Sequence, residues 1–266
     1  MAEIQGPIFL QVKILRNVAI LVDGGFFLKR IIALGHLPEP HTQEVAINCL
    51  KEITKNHLNH LNRRYGFIVA PGNGDAAWRS VTNPARQLYR TFYYDSEPYT
   101  GRAERPITRT NINFANTATA EFRRGFFTEL KKSRNVALRM GKLASKGEWV
   151  LNQRKQKALL RGAITIADLT DDDFKFDLKQ KGVDMRIGLD IATLTLKKQV
   201  QTIVLITGDS DFVPAAKLAR REGVEIILDP LRHNISSDLF EHIDGLRHGL
   251  NQINLPVTDE DEDDDA

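Results

Sequence analysis

The sequence is poor in the residues that announce thiolate or disulfide chemistry. It holds one cysteine, Cys49, so no internal disulfide can form and a reducing compartment is the expected setting. No Cys/His cluster has zinc-ligand spacing. No apolar run approaches the roughly 20 residues that a membrane span needs, so no membrane contact is expected. The N-terminus lacks a basic stretch followed by an apolar core, so no secretory signal is read and a cytoplasmic location is expected. No G-x-G-x-x-G follows a strand. The cluster Pro71–Gly74 reads as a turn, which leaves a dehydrogenase without its phosphate-cradling loop.

What is present is an ordinary globular composition with an uneven charge. The 266 residues are 42% hydrophobic and 27% charged, enough to bury a sizeable core. The net charge of +3 conceals an entirely acidic run, Asp259–Asp265, against a middle stretch from Arg79 to Arg161 rich in Arg and Lys. A terminal block of like charge reads as a disordered, solubilising tail. The folded part is therefore more basic than the total, and such a surface favours a polyanionic partner. The expected division is an N-terminal extension over residues 1–17, with an added edge strand from Ile8 to Ile14, one domain over 18–250, and an acidic tail over 251–266.

Short β-branched runs alternate with helical periodicity, the pattern of βαβ units around a parallel sheet. Strands are expected at Val18–Val22, Leu88–Tyr94, Ile203–Ile206 and Ile226–Leu228. Helices are expected at Phe26–Leu34, His41–Leu61, Ala118–Lys132, Asp184–Leu196, Phe212–Arg221 and Ser236–Ile243. Val136–Met140 and Trp149–Leu151 read as a hairpin turning at Lys146–Gly147. Arg102–Asn116 reads as a loop, and Asp171–Leu178 is ambiguous. Residues 65–165 read as an elaboration between the first strand and the last βα units.

Two of these strands run directly into acid: Val18–Val22 into Asp23, and Ile203–Ile206 through Thr207 and Gly208 into Asp209 and Asp211. Ligands of parallel sheets bind outside the carboxyl ends of the strands, where Asp184, opening its helix, can also point. Asp190 shares that helix's inward stripe but lies about 9 Å further along the axis, so it is given a supporting role beside Thr207 and Ser210. Carboxylates gathered at one edge repel, and each raises another's pKa unless a cation intervenes. A hard divalent ion such as Mg²⁺ or Mn²⁺ takes oxygen ligands and removes that cost. The plainer readings are that Asp209 ends a strand and that Asp211 caps a helix with Pro214 in its first turn.

The segments VAILVDGGFF (18–27), FYYDSEPY (92–99), VALRMGKL (136–143), QKGVDMRIGLDIATL (180–194), LITGDSDFVPAAKLARREGVEIIL (205–228) and ISSDLFEHID (235–244) resemble the NYN family of PIN-like ribonucleases, and within it the LabA-like branch. The resemblance implies an α/β fold, a three-layer α/β/α PIN-like (Rossmann-like) sandwich around a mostly parallel sheet, here with an inserted hairpin/loop elaboration. It implies Mg²⁺- or Mn²⁺-dependent endoribonuclease chemistry, with Asp23, Asp184, Asp209 and Asp211 as the catalytic, metal-binding acids. Many relatives place Asn shortly after the first Asp; this chain has Gly25, Phe26 and Phe27 there.

Arg102, Arg105, Arg109, Arg123, Arg124 and Lys181 are the expected nucleic-acid contacts. Arg and Lys interleaved with Tyr93, Tyr94, Tyr99, Phe114 and Trp149 can follow a phosphate backbone and stack on bases, or form a solvated basic face over core aromatics. RNA, single-stranded or structured, is the expected partner, and a homodimer is left open. The alternative function is a catalytically weak or inactive RNA- or protein-binding regulator of the same fold. A phosphatase working through Asp23 would need a second acid at position 25, which is Gly.

Overall fold

The computed structural model describes residues 16–64, 86–144, 146–178 and 180–251. The expected edge strand at Ile8–Ile14, the turn at Pro71–Gly74 and the acidic run Asp259–Asp265 lie outside them.

The fold grows from a chain segment apolar on both faces. β1 (Arg16–Asp23) and β9 (Thr202–Ile206) are continuous β-branched and aliphatic runs, and every residue from Val18 to Val22 and from Thr202 to Ile206 is buried. Strands covered on both sides read this way in parallel sheets. The two pair in parallel, Val18 opposite Thr202 through Val22 opposite Ile206. β2 (Arg86–Ser96) lies parallel on the other side of β1. The seven-stranded sheet runs β11-β10-β9-β1-β2-β5-β8. It is completed by β5 (Val136–Leu143), β8 (Gln180–Lys181), β10 (Glu225–Asp229) and β11 (Gly245–Leu246). Only β8 is antiparallel to its neighbour.

Alternate residues of the strands feed two cores. On one face Val18, Ile20 and Val22 meet α1 (Gly24–Ala33), α2 (Gln43–Arg64) and α3 (Ala118–Lys132) through Phe27, Ile53 and Phe126. On the other, Ala19 and Leu21 meet α5 (Val183–Leu196), α6 (Val213–Arg221) and α7 (Ser237–Glu241) through Ile187, Val213 and Leu239. The result is the expected three-layer α/β/α sandwich. Each fully buried aliphatic side chain contributes roughly 1.5–3 kcal/mol, so the sheet can carry electrostatic crowding at its rim.

From β1 the chain builds outward through β2 and β5, then returns to lay β9 and β10 on the opposite side. The strand order therefore reverses between β1 and β9, the position where open parallel sheets form their binding crevice.

The stretch between β2 and β8 corrects the sequence reading in three places. Val136–Leu143 does not fold back on Trp149. β5 pairs in parallel with β2, and the partner of β6 (Glu148–Leu151) is β7 (Phe174–Asp177), drawn from the ambiguous segment. Periodicity marks a strand but carries no information about which edge it joins, and the open edge of β2 takes β5. The expected loop after β2 contains a small hairpin, β3 (Arg102–Glu104) with β4 (Asn111–Asn113). A basic helix, α4 (Gln153–Leu160), stands where only charge was read. Residues 65–165 are thus not purely an elaboration, because β2, α3 and β5 belong to the main sandwich. Among the described residues no helix is long and apolar enough to cross a membrane.

Candidate active site

Asp23 ends β1 and caps α1, its Oδ1 accepting from the Phe26 N–H at 3.1 Å. The turn is tight because Gly24 has no side chain. A Cβ there would sit 2.5 Å from the Tyr93 ring and 2.6 Å from the Tyr94 carbonyl oxygen, and the Tyr93 hydroxyl donates to the Gly24 carbonyl at 3.2 Å. Burial pushes the Asp23 carboxyl up to about 6, opposed by the Phe26 N–H and reinforced by the charges of Asp184 and Asp95.

Asp209 follows β9. Its N–H donates to Thr207 Oγ1 at 3.1 Å, and its Oδ1 accepts from the Asp211 N–H at 2.9 Å, so it caps the single 3₁₀ turn Ser210–Phe212. Asp211, a cap on the plainer of its two readings, is instead the residue being capped, and it stays exposed. At Gly208 a Cβ would lie 2.8 Å from both the Phe26 and His233 rings. The turn after β9 is thereby pressed onto the first turn of α1, three residues from Asp23.

Asp184 stands exposed in the first turn of α5, after Gly182, whose φ of 77° suits glycine. Its carboxyl is raised by partial burial and then by the charges of Asp209 and Asp211. Mutual repulsion thus links all four expected acids, from three separate parts of the chain. No described Lys, Arg or His forms an ion pair with any of them.

The supporting residues separate. Thr207 is buried and holds Asp209, whereas Ser210 is exposed at the start of the turn. Asp190 turns toward β2 and β5, accepting from the Tyr94 hydroxyl at 2.8 Å and from Arg139 Nε at 3.0 Å. It ties α5 to the sheet. The basic residues are dispersed. Arg102 and Arg109 are exposed on and beside the β3–β4 hairpin, and Arg105 meets Asp172 at 3.7 Å. Arg124 is exposed on α3 and Lys181 on β8. Arg123 points inward, to Asp95.

Asp95 is the residue that sequence reasoning passed over. It sits at the end of β2, fully buried, and its Oδ1 accepts from Arg123. Burial raises its pKa while the Arg123 guanidinium lowers it. The strand-end rule that marked Asp23 applies equally to the last residues of FYYDS. A second buried acid, Asp229 at the end of β10, was also passed over. Its Oδ2 lies 2.7 Å from His57 Nε2 and accepts from the Gly249 N–H at 2.8 Å.

Among the described residues no three His, Cys, Asp or Glu side chains lie close enough to grip one ion together. The donor set nevertheless suits a hard divalent cation, because it is all oxygen and lacks any cationic partner. Mg²⁺ keeps several waters and is commonly held by one or two carboxylates together with substrate phosphate, rather than by an all-protein cage. Carboxylates spaced apart yet within reach of each other's charge fit that mode.

A family model described as the NYN domain matches residues 112–244, half of the 266-residue chain. The chain belongs to the NYN domain family. NYN domains have the PIN-like nuclease fold, the family is generally related to ribonucleases, and PIN-like nuclease domains usually use divalent metals. No curated protein matches the chain. The matched span carries Asp184, Asp190, Asp209 and Asp211. Asp23 and Asp95 lie before it, and the pairing of β1 with β9 and β2 brings them to the NYN domain's acidic edge.

Proposed function

We propose that this NYN protein is a metal-dependent endoribonuclease that hydrolyses RNA phosphodiester bonds at the carboxyl ends of its central strands. One observation supports the reading: the charge of Asp184 raises Asp23, and those of Asp209 and Asp211 raise Asp184, although the acids leave separate elements beside the β1/β9 reversal point and none has a described cationic partner. Drawn from these four, one or two carboxylates at a time would hold Mg²⁺ or Mn²⁺ together with substrate phosphate. When bound, such an ion supplies a water of lowered pKa and charge stabilisation for phosphodiester hydrolysis.

The chain's own residues prepare the edge. The Phe26 N–H fixes the Asp23 carboxylate. Thr207 and the Asp211 N–H fix Asp209. Arg123 neutralises Asp95 behind them. Arg102, Arg105, Arg109, Arg124 and Lys181 supply positive charge that draws an RNA backbone toward the rim. The likeness to the LabA-like branch rests on the sequence segments alone.

RNA incubated with Mg²⁺ or Mn²⁺ is expected to be cleaved, and Asp23→Asn and Asp209→Asn are each expected to abolish cleavage. Activity unaltered in both variants sinks the proposal. A second reading, an RNA- or protein-binding regulator without hydrolysis, is favoured by the absence, among the described residues, of three acids within reach of one ion. It expects salt-sensitive RNA binding, no cleavage, and no stabilisation by Mn²⁺.

A further inference from the structure

Beside the acids lies a cleft of about 520 Å³ that the carboxylates do not use, walled largely by the elements inserted between β2 and β8. Tyr99, Phe114, Trp149 and Phe176 supply its aromatic side, Arg123 and Gln180 its polar side. Phe114 and Phe176 are stacked with centroids 4.5 Å apart, Trp149 stands edge-on to Phe176 at 5.0 Å, and Tyr99 is 5.4 Å from Phe114. A closed miniature core would bury these rings. All four instead remain partly exposed and line open space of the size that small-molecule sites occupy.

Two donors in the wall are shielded from solvent and have no partner among the described residues: the Trp149 indole N–H and the Arg123 Nε–H. Buried donors without acceptors are costly, and a turn of either side chain toward the cleft would bring its donor to a ligand's acceptors. The cleft reaches toward the acids through two of its own residues. The guanidinium of Arg123 binds Asp95, whose charge reaches Asp23. Gln180 precedes Asp184 by four residues.

Resting on the ribonuclease reading of the acidic edge, we propose that this cleft is a base subsite, holding one unpaired nucleobase of single-stranded RNA against the aromatic wall while the adjoining phosphate lies at the acids. A flat π-face matches the aromatic wall, and acceptors on its edge match the exposed Gln180 amide beside it. Lys175 at the wall offsets backbone charge. A base inside a duplex has both faces stacked and cannot enter, so the subsite selects unpaired RNA.

The chain has two tryptophans, so Trp78→Phe leaves Trp149 as its only indole. The test uses the full-length Trp78→Phe/Asp23→Asn chain in Mg²⁺, titrated with single-stranded oligouridine and, separately, with an RNA duplex of equal length. Trp149 emission is read alongside the anisotropy of labelled RNA. Single-stranded RNA is expected to change Trp149 emission over the same concentrations that raise anisotropy, and the duplex is expected to leave emission unchanged. Adding Trp149→Ala or Tyr99→Ala is expected to weaken single-strand binding about tenfold, the usual effect of losing one base-stacking ring, with duplex affinity retained. Anisotropy that rises while Trp149 emission stays constant, or equal emission changes from both RNAs, overturns the subsite and leaves the ribonuclease reading standing. No rise in anisotropy with either RNA overturns both. A Trp149 response alongside wild-type protein that never cleaves RNA upholds the cleft and removes the nuclease.

Discussion

If Asp23 is held charged against its environment, relieving that charge should stabilise the metal-free protein. Asp23→Asn is the clean perturbation, since Asn is isosteric and caps a helix as well as Asp, so the bond from the Phe26 N–H survives. The carboxyl rises from the ordinary 3.8 to about 6 in the folded state. Each tenfold in a proton equilibrium is worth about 1.36 kcal/mol, so this gap corresponds to at most about 3 kcal/mol. The sign follows from which state holds the proton. Below about pH 4 folded and unfolded chains are both largely protonated at this site, and Asp and Asn should be equivalent. Between 4 and 6 the folded chain keeps the proton longer, so wild-type stability falls as pH rises, and above 6 the loss is complete.

At pH 7.5 in EDTA, Asp23→Asn should therefore raise stability by up to about 3 kcal/mol. For a domain of this size that is about 6–12 °C in Tm. Burial is the largest cause of the shift and the neighbouring charges are smaller ones, so added NaCl should shrink the gain only in part. Mn²⁺ should raise the Tm of the wild-type chain and leave Asp23→Asn nearly unmoved, closing the gap from the other side. Thermal melts at pH 4 and 7.5, with and without Mn²⁺, decide it. A variant no more stable than wild type at pH 7.5, or a gap identical at both pH values, refutes the reasoning.

Three other substitutions test the frame around the site. Gly24→Ala must move the Tyr93 ring or the Tyr94 carbonyl and should cost about 1–3 kcal/mol by denaturant melt. His57→Ala leaves the buried Asp229 carboxylate with only its two backbone donors and should cost about 3–5 kcal/mol, a loss that wild-type stability in the variant contradicts. Tyr94→Phe removes the hydroxyl donor to Asp190 and should cost about 1.5–3 kcal/mol, the range for hydrogen bonds to charged groups, with any RNA cleavage retained because Asp190 ties α5 to the sheet.

The central sheet was legible because β1 and β9 are buried on both faces, and burial writes itself into sequence as an unbroken apolar run. The acids were legible for a related reason: a parallel strand that ends in Asp delivers that Asp to one known edge. Partner choice was not legible. β5 is half-buried along most of its length, and its alternation fits a hairpin as readily as a place beside β2. Nor was α4, whose first five residues are polar and which contributes no buried side chain. Arg123 was misread for a subtler reason. Among the cations of the middle stretch, only its position opposite Asp95 turns it inward, and that position exists only once α3 packs beside β2.

The pairing of Asp95 with Arg123 bears on why the other acids matter. Within the same edge the chain neutralises one buried carboxylate with its own guanidinium and provides no described cation for four others. Capping alone does not require their charge, since Asn or Ser would hold the Phe26 and Asp211 N–H groups as well without raising Asp23 and Asp184 against their neighbours. Burial of charge, with repulsion added to it, is thus a standing cost of the metal-free fold, placed at the crevice where β1 and β9 diverge and near an aromatic cleft lined by the same Arg123. On the proposed reading, a cation arriving with a phosphate would remove that cost and make the charge useful. This is why the Mn²⁺ response of Asp23→Asn discriminates better between hydrolysis and mere binding than the shape of the fold does.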